Sequence, residues 1–132
     1  MSKITTVFLD VDGTLTDGKI YYDSQNNEMK AFNIKDGLII YFMARNGYNF
    51  VIVTGRESNI VTRRMEELGV SEIYQGISIK DDFIKEYLGT RHLEYEACAY
   101  LGDDLNDLMA MKKLKAHKKI CINKQGTITC TL

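Results

Sequence analysis

Residues 7–18 read VFLDVDGTLTDG. Val7, Phe8 and Leu9 run without a polar break into Asp10, and Asp12 follows two places on, just before Gly13. A continuous apolar run is what a strand covered on both faces requires, because neither side of it meets water. Such strands belong to parallel sheets sandwiched between helices. Asp10 and Asp12 then stand at the exit of a buried strand. Taken alone, DxDG is also the composition of a solvated turn, so the rest of the chain has to decide.

Working outward, the same grammar recurs. Phe50–Val53 is a second apolar run, ending in Thr54-Gly55-Arg56. Ala97–Leu101 is another, ending in Gly102-Asp103-Asp104. A short strand is expected around Ile73-Tyr74, and one more over 119–123. Helical spacing fills the gaps. Asp36 can cap a helix through Leu38, Ile39, Phe42 and Met43 to Asn46, with Gly47 as its stop. Ser58 can cap one through Ile60, Val61, Met65 and Leu68, before Gly69. Further helices are expected near Asp81–Leu88 and Asn106–Lys113. Between the first strand and the first helix, residues 19–23 and 28–32 flank Ser24-Gln25-Asn26-Asn27, a hairpin signal. Alternating strands and helices with no linker or repeat predict one α/β domain over residues 1–132, a doubly wound, Rossmann-like parallel sheet.

Composition removes several function classes. The chain has 132 residues, 45% of them hydrophobic and 27% charged, as in an ordinary globular domain. Seventeen basic and eighteen acidic side chains give a net charge of -1, so nothing favours nucleic acid or an anionic membrane as a partner. No apolar stretch is long enough to span a bilayer, and the N-terminus lacks a signal-peptide pattern. Cys98, Cys121 and Cys130 are odd in number and show no CxxC spacing. Disulfides and zinc are therefore not expected, and a reducing cytoplasm is the simplest location.

In a sheet of this class ligands bind beyond the carboxyl ends of the strands. Folding would gather Asp10, Asp12, Thr54, Asp103 and Asp104 there, with Lys80 at the start of the following helix. So many carboxylates repel one another unless a cation neutralises them, and an all-oxygen donor set suits Mg2+. With a phosphoryl oxygen held, one carboxylate can attack phosphorus and form an aspartyl phosphate. A second, two residues on, can protonate the leaving oxygen and later activate water. A hydroxyl and an ammonium, Thr54 and Lys80, can hold the oxygens on which charge accumulates.

DVDGTLTDG, VTGR, Lys80 and GDDLND together resemble the four motifs of the haloacid dehalogenase superfamily. KAFNIKDG, TGRESNIVTRR and YQGISIK extend the likeness to its capless sugar phosphatases, the 3-deoxy-D-manno-octulosonate 8-phosphate phosphatase family. The resemblance implies Asp10 as nucleophile and Mg2+ ligand. Asp12 would be the acid/base, with its backbone carbonyl on the metal, and Asp103 the other metal carboxylate. Asp104 and Asp107 would support that site one layer out or through water. Thr54 and Lys80 would bind the phosphoryl group, and Asn33, Lys35, Asp36, Gly37, Arg56 and Arg64 would lie near the substrate. Sixteen residues between Gly18 and Lys35 leave room for a hairpin (about 19–32) but no cap domain. The family's hairpins build a homotetramer whose neighbours line each other's sites.

The likeness fades after Met111, and the C-terminus is short relative to the family. His92, His117 and the basic stretch 112–119 are expected at the surface. A receiver domain is the rival from another class, but its phosphoacceptor ends a middle strand, whereas DxDGT here ends the first. A catalytically silent assembly module is the other. Lys35, Arg56 and Arg64 carry more positive charge than one phosphoryl group needs, which suits a small sugar phosphate with a carboxylate. That substrate would be the octulosonate 8-phosphate, or a nonulosonate 9-phosphate. Otherwise the arginines pair with Glu57, Glu66 or Glu67.

Overall fold

Successive side chains of a strand point to opposite faces, and the first strand uses this to build two cores. In the computed structural model, which describes residues 3–103, 105–113, 119–122 and 128–131, β1 (Thr6–Leu9) is buried along its whole length. Val7 and Leu9 join one core with Phe50, Ile52, Val61, Met65 and Ile40. Phe8 joins the other with Val51, Val53, Ile84, Leu88 and Tyr100. That two-sided burial is the apolar run read directly.

The elements follow as β2 (Tyr21–Tyr22), β3 (Glu28–Met29), α1 (Ile34–Arg45), β4 (Asn49–Val53), α2 (Asn59–Glu67) and β5 (Glu72–Tyr74). Then come α3 (Lys80–Arg91), β6 (Cys98–Gly102), α4 (Leu105–Lys113), β7 (Lys119–Ile122) and β8 (Ile128–Thr131). Helices α1 and α2 supply the first core, and α3 and α4 the second. The main sheet runs β5-β4-β1-β6-β7-β8. β1 lies parallel between β4 and β6, with Phe8 level with Val51 and Tyr100.

Counted in chain order, the parallel strands β1, β4, β5, β6 and β7 stand in space as 3-2-1-4-5. This is the doubly wound order whose direction reverses beside the first strand. A receiver domain would show 2-1-3-4-5. The receiver alternative therefore falls on topology.

The sheet is not wholly parallel, contrary to expectation. β8 pairs antiparallel with β7. The residues between them, 123–127, are too few for a parallel crossover, which needs a dozen or more, but enough for a reversal. Turn composition at Lys124-Gln125-Gly126 before Ile128 was the available signal.

The cap of α1 also differs. Asn33, not Asp36, occupies that position, its side-chain oxygen accepting from the backbone N–H groups of Lys35 and Asp36. Such a cap is worth about 1 kcal/mol. Moving the cap adds residues 34–36 to the helix without rotating its faces. Gly37 and Ile40 are buried, while Leu38, Ile39 and Phe42 are exposed. Ser58 caps α2 as expected, accepting from the N–H of Ile60. The hairpin strands are two residues each, shorter than the flanks suggested. At Asp23 the chain turns: its N–H still donates to Asn27 O across the hairpin, and its carboxylate accepts from the N–H groups of Gln25 and Asn27. Thr16 and Phe32 bridge the base of this excursion.

Candidate active site

The direction reversal between β1 and β6 opens a crevice at the carboxyl ends of those strands. Asp10 leaves β1 on one side of it and Asp103 leaves β6 on the other. Lys80, first residue of α3, reaches in between. Its ammonium lies 2.8 Å from Asp10 Oδ1 and 2.6 Å from Asp107 Oδ1. All three side chains are almost wholly buried, so these contacts act where water screens little. Burial alone would lower the Lys80 pKa, but Asp10 and Asp107 outweigh it and hold it above its ordinary value.

Asp10 is pushed the other way. Burial first, and then the Asp107 carboxylate, raise it from 3.8 to about 7, against the pull of Lys80. One ammonium does not suffice for two buried carboxylates. Asp107 is bound further by Tyr100, whose hydroxyl donates to Oδ1 at 2.5 Å, and by the N–H of Asp103, which donates to Oδ2 at 3.2 Å. Buried first and then facing Asp107, the Tyr100 phenol is held far above its ordinary pKa, so it acts as a fixed donor.

Oxygens of Asp10, Asp103 and Asp107 all lie within 4.8 Å of one another. Hard oxygen donors converging at that spacing fit a divalent cation. Two glycines make the convergence possible. Gly13 adopts φ +84, and a Cβ there would overlap Asp103 Oδ2. A Cβ on Gly102 would overlap the Asp107 carboxyl group. Asp107 stands nearer this centre than sequence suggested. Asp104 lies outside the described residues.

Thr54 is buried where β4 ends, directly alongside β1. Its backbone is pinned on both sides, donating to Tyr74 O and accepting from the N–H of Ile77. The Asp12 carboxylate sits apart from the three-carboxylate cluster. Its Oδ1 accepts from Lys30 Nζ at 2.7 Å.

The structure divides the six residues expected near a substrate. Asn33, Asp36, Gly37 and Arg64 line one narrow recess with Leu15 and Phe32. Gly37 lets the Arg64 guanidinium lie against the backbone of α1, since a Cβ there would make the tip of Arg64 shift. Arg64 also reaches Glu67 at 3.3 Å, one of the pairings anticipated for it. Arg56 instead meets Glu28 of the hairpin at 3.3 Å. Tyr22 first, and then Glu28 and Asp12, hold its pKa above the ordinary range against slight desolvation. Lys35 is exposed, with only its backbone engaged by the cap.

Sequence reasoning assigned no part to Lys30, Tyr100 or Asn106. Lys30 opens the KAFNIKDG stretch, which carried the family likeness but gave it no role, and Tyr100 was visible as a polar tip inside an apolar strand. Asn106 donates to Ser78 O at 3.0 Å and so ties α4 to the segment leading into Lys80. Cys98 is a buried free thiol, raised to about 11 by burial first and then Glu96. His92 is exposed, as expected. His117 and residues 114–118 of the basic stretch lie outside the described residues. Among the described residues no helix is long and apolar enough to cross a membrane.

Known proteins with this arrangement are numerous. A 3-deoxy-D-manno-octulosonate 8-phosphate phosphatase of Yersinia pestis is 37% identical over 113 residues, which cover 86% of this chain and 60% of that protein. The Escherichia coli K12 protein of the same name is 39% identical over 112 residues, with 85% and 60% covered. The chain thus spans about 60% of the length of the curated relatives it matches. A crystal structure of the Moraxella catarrhalis phosphatase, in complex with magnesium ion, phosphate ion and KDO, superposes with a TM-score of 0.79 at 42% identity. It covers 83% of this chain and 63% of that one. The Yersinia pestis crystal structure gives 0.81 at 36% identity, covering 88% and 62%. The sequence profile of the haloacid dehalogenase-like hydrolases matches residues 7–127. With its carboxylates and lysine gathered at the strand ends of this fold, the chain belongs to the haloacid dehalogenase-like hydrolases.

Proposed function

We propose that this protein is a Mg2+-dependent phosphatase acting on the phosphate monoester of a small acidic sugar. The observation that carries this reading is the buried Lys80 bridging Asp10 and Asp107 beside Asp103. Asp10, Asp103 and the backbone carbonyl of Asp12 would hold the metal, with Asp107 orienting Lys80 and Asp103. When bound, Mg2+ supplies charge neutralisation for a phosphoryl group entering an anionic site.

Asp10 attacks phosphorus and becomes an aspartyl phosphate as the sugar oxygen departs. Asp12 gives that oxygen its proton and then takes one from the water that releases phosphate. Thr54 and Lys80 bind the phosphoryl oxygens. The intact Lys80 ion pairs favour this over a catalytically silent module, because a buried ammonium retained without chemistry is costly to keep.

For the substrate, the 8-phosphate of 3-deoxy-D-manno-octulosonate is preferred. The named relatives support it, and so does Arg56, half exposed beside Asp12, as the group to meet a sugar carboxylate. The protein is placed in the cytoplasm as a homotetramer joined through the hairpin. Phosphate release from the 8-phosphate should require Mg2+, stop with EDTA, and vanish in Asp10→Asn, whose amide cannot form the acyl phosphate. Metal-independent release, or Asp10→Asn at near wild-type rate, would overturn the mechanism. Faster turnover of a nonulosonate 9-phosphate reassigns the substrate, and equal turnover of a sugar phosphate lacking the carboxylate removes Arg56 from its role.

A further inference from the structure

The hairpin delivers to the site a cation, the first residue of KAFNIKDG, whose role the sequence leaves unassigned. Lys30 follows β3 directly, and its side chain is 0% exposed. An ammonium so enclosed needs a partner. Its shortest contact is Asp12 Oδ1 at 2.7 Å, across eighteen residues of chain. Glu28 Oε1 stands at 3.9 Å and itself reaches Arg56 at 3.3 Å. Asp12, Lys30, Glu28 and Arg56 therefore form one charge chain from the strand end through the hairpin to the end of β4.

Among the described residues no other side chain bonds the Asp12 carboxylate, which is 28% exposed. We propose that Lys30 is a positioning residue for Asp12. By occupying Oδ1 it locks the rotation of the carboxyl group and leaves Oδ2 as the oxygen that exchanges a proton with the reacting group. This rests on the phosphatase reading above, and it matters most in the second half of the reaction. There a water oxygen bonds to phosphorus, the bond from phosphorus to the Asp10 oxygen breaks, the water proton passes to Asp12 Oδ2, and inorganic phosphate leaves. A water has no tether of its own, so the orientation of its base decides the rate.

The test uses Lys30→Met, which keeps the stem and removes the ammonium, with p-nitrophenyl phosphate and Mg2+. Nitrophenolate leaves without a proton, so formation of the phosphoenzyme makes little demand on Asp12. The first-turnover release should stay within about twofold of wild type, while steady-state turnover falls about 10- to 100-fold. A burst of nitrophenolate equal to the sites present should appear. Lys30→Arg, which keeps a cation, should lose distinctly less.

First-turnover and steady-state rates falling together would point to a hairpin that only scaffolds the site, and would overturn the proposal. So would unchanged rates, or equal losses in the Met and Arg variants. Should Lys30→Met fail to fold by circular dichroism, Lys30→Gln carries the same comparison. A wild-type protein with no Mg2+-dependent turnover sinks the phosphatase reading and this proposal with it. Turnover in wild type without the burst in the variant sinks the proposal alone.

Discussion

Replacing Lys80 by methionine should reveal how much repulsion its ammonium holds down. Methionine nearly matches the lysine stem in volume, so the perturbation is the loss of one charge between two buried carboxylates at 2.8 and 2.6 Å. Removing one partner of a buried ion pair costs roughly 3–5 kcal/mol, because the other is left uncompensated. For a chain of this length that is a fall in Tm of roughly 10–20 °C.

The cost should depend on pH. Asp10 has its folded pKa raised from 3.8 to about 7. A raised acid binds its proton more tightly in the fold, so its contribution favours folding below the unfolded value and is lost as pH rises through about 7. Lys80, held above 10.5, stays charged throughout that range. At pH 5.5 Asp10 already carries much of a proton, so there is less repulsion for Lys80 to hold down and the variant should lose distinctly less stability than at pH 8. Thermal unfolding at both pH values, in EDTA and then in Mg2+, measures this. Mg2+ should restore more stability to the variant than it adds to wild type. A loss below about 1 kcal/mol at pH 8, or one identical at the two pH values, would refute the reasoning that Asp10 and Asp107 are strained against each other.

Three further outcomes follow from the geometry. Gly13→Ala places a methyl group on Asp103 Oδ2 at a φ of +84, so the Mg2+ concentration for half-maximal activity should rise about tenfold or more; an unchanged requirement removes Asp103 from the metal site. The Thr14 hydroxyl is buried without a hydrogen-bond partner among the described residues, so Thr14→Val should be neutral or gain up to about 1 kcal/mol in urea unfolding; a loss of that size would mean the hydroxyl is bonded. Ile20, Tyr21, Tyr22 and Met29 are exposed on a hairpin too small to cover them, so light scattering should show an oligomer that Tyr22→Asp breaks, and a wild-type monomer at micromolar concentration counts against assembly through this surface.

What the sequence made legible follows from how locally each feature is specified. Val7-Phe8-Leu9 and Phe50–Val53 announced buried parallel strands because burial on both faces tolerates no polar residue. Their exits named Asp10, Thr54 and Asp103 because a doubly wound sheet puts ligands at strand ends. The start of α1 was misjudged between Asn33 and Asp36 because both residues can cap, and only the backbone conformation at Asn33 (φ -83, ψ 124) decides. β8 was missed since a four-residue edge strand has no two-sided burial to announce it. Lys30 stood at the head of KAFNIKDG, but its role was illegible for a different reason. Its partner lies across a hairpin, and no local pattern distinguishes a buried cation from a solvated one.

Charge balance ties these residues into one system. Among the described side chains, the carboxylates of Asp10, Asp12, Asp103 and Asp107 face the ammonium groups of Lys80 and Lys30, while Arg56 and Glu28 offset each other. Among these side chains the carboxylates outnumber the ammonium groups. Burial first, and then the Asp107 carboxylate, raise Asp10 to about 7, so it holds a proton more readily than an ordinary aspartate. On the phosphatase reading proposed above, Asp10 would have to be ionised to attack, because a protonated carboxyl group is a far weaker nucleophile than a carboxylate. A divalent cation held by Asp10 and Asp103 would favour the ionised form of Asp10 and weaken the repulsion toward an anionic phosphate. On that reading, binding the metal and ionising the nucleophile would then be coupled through the same carboxylates.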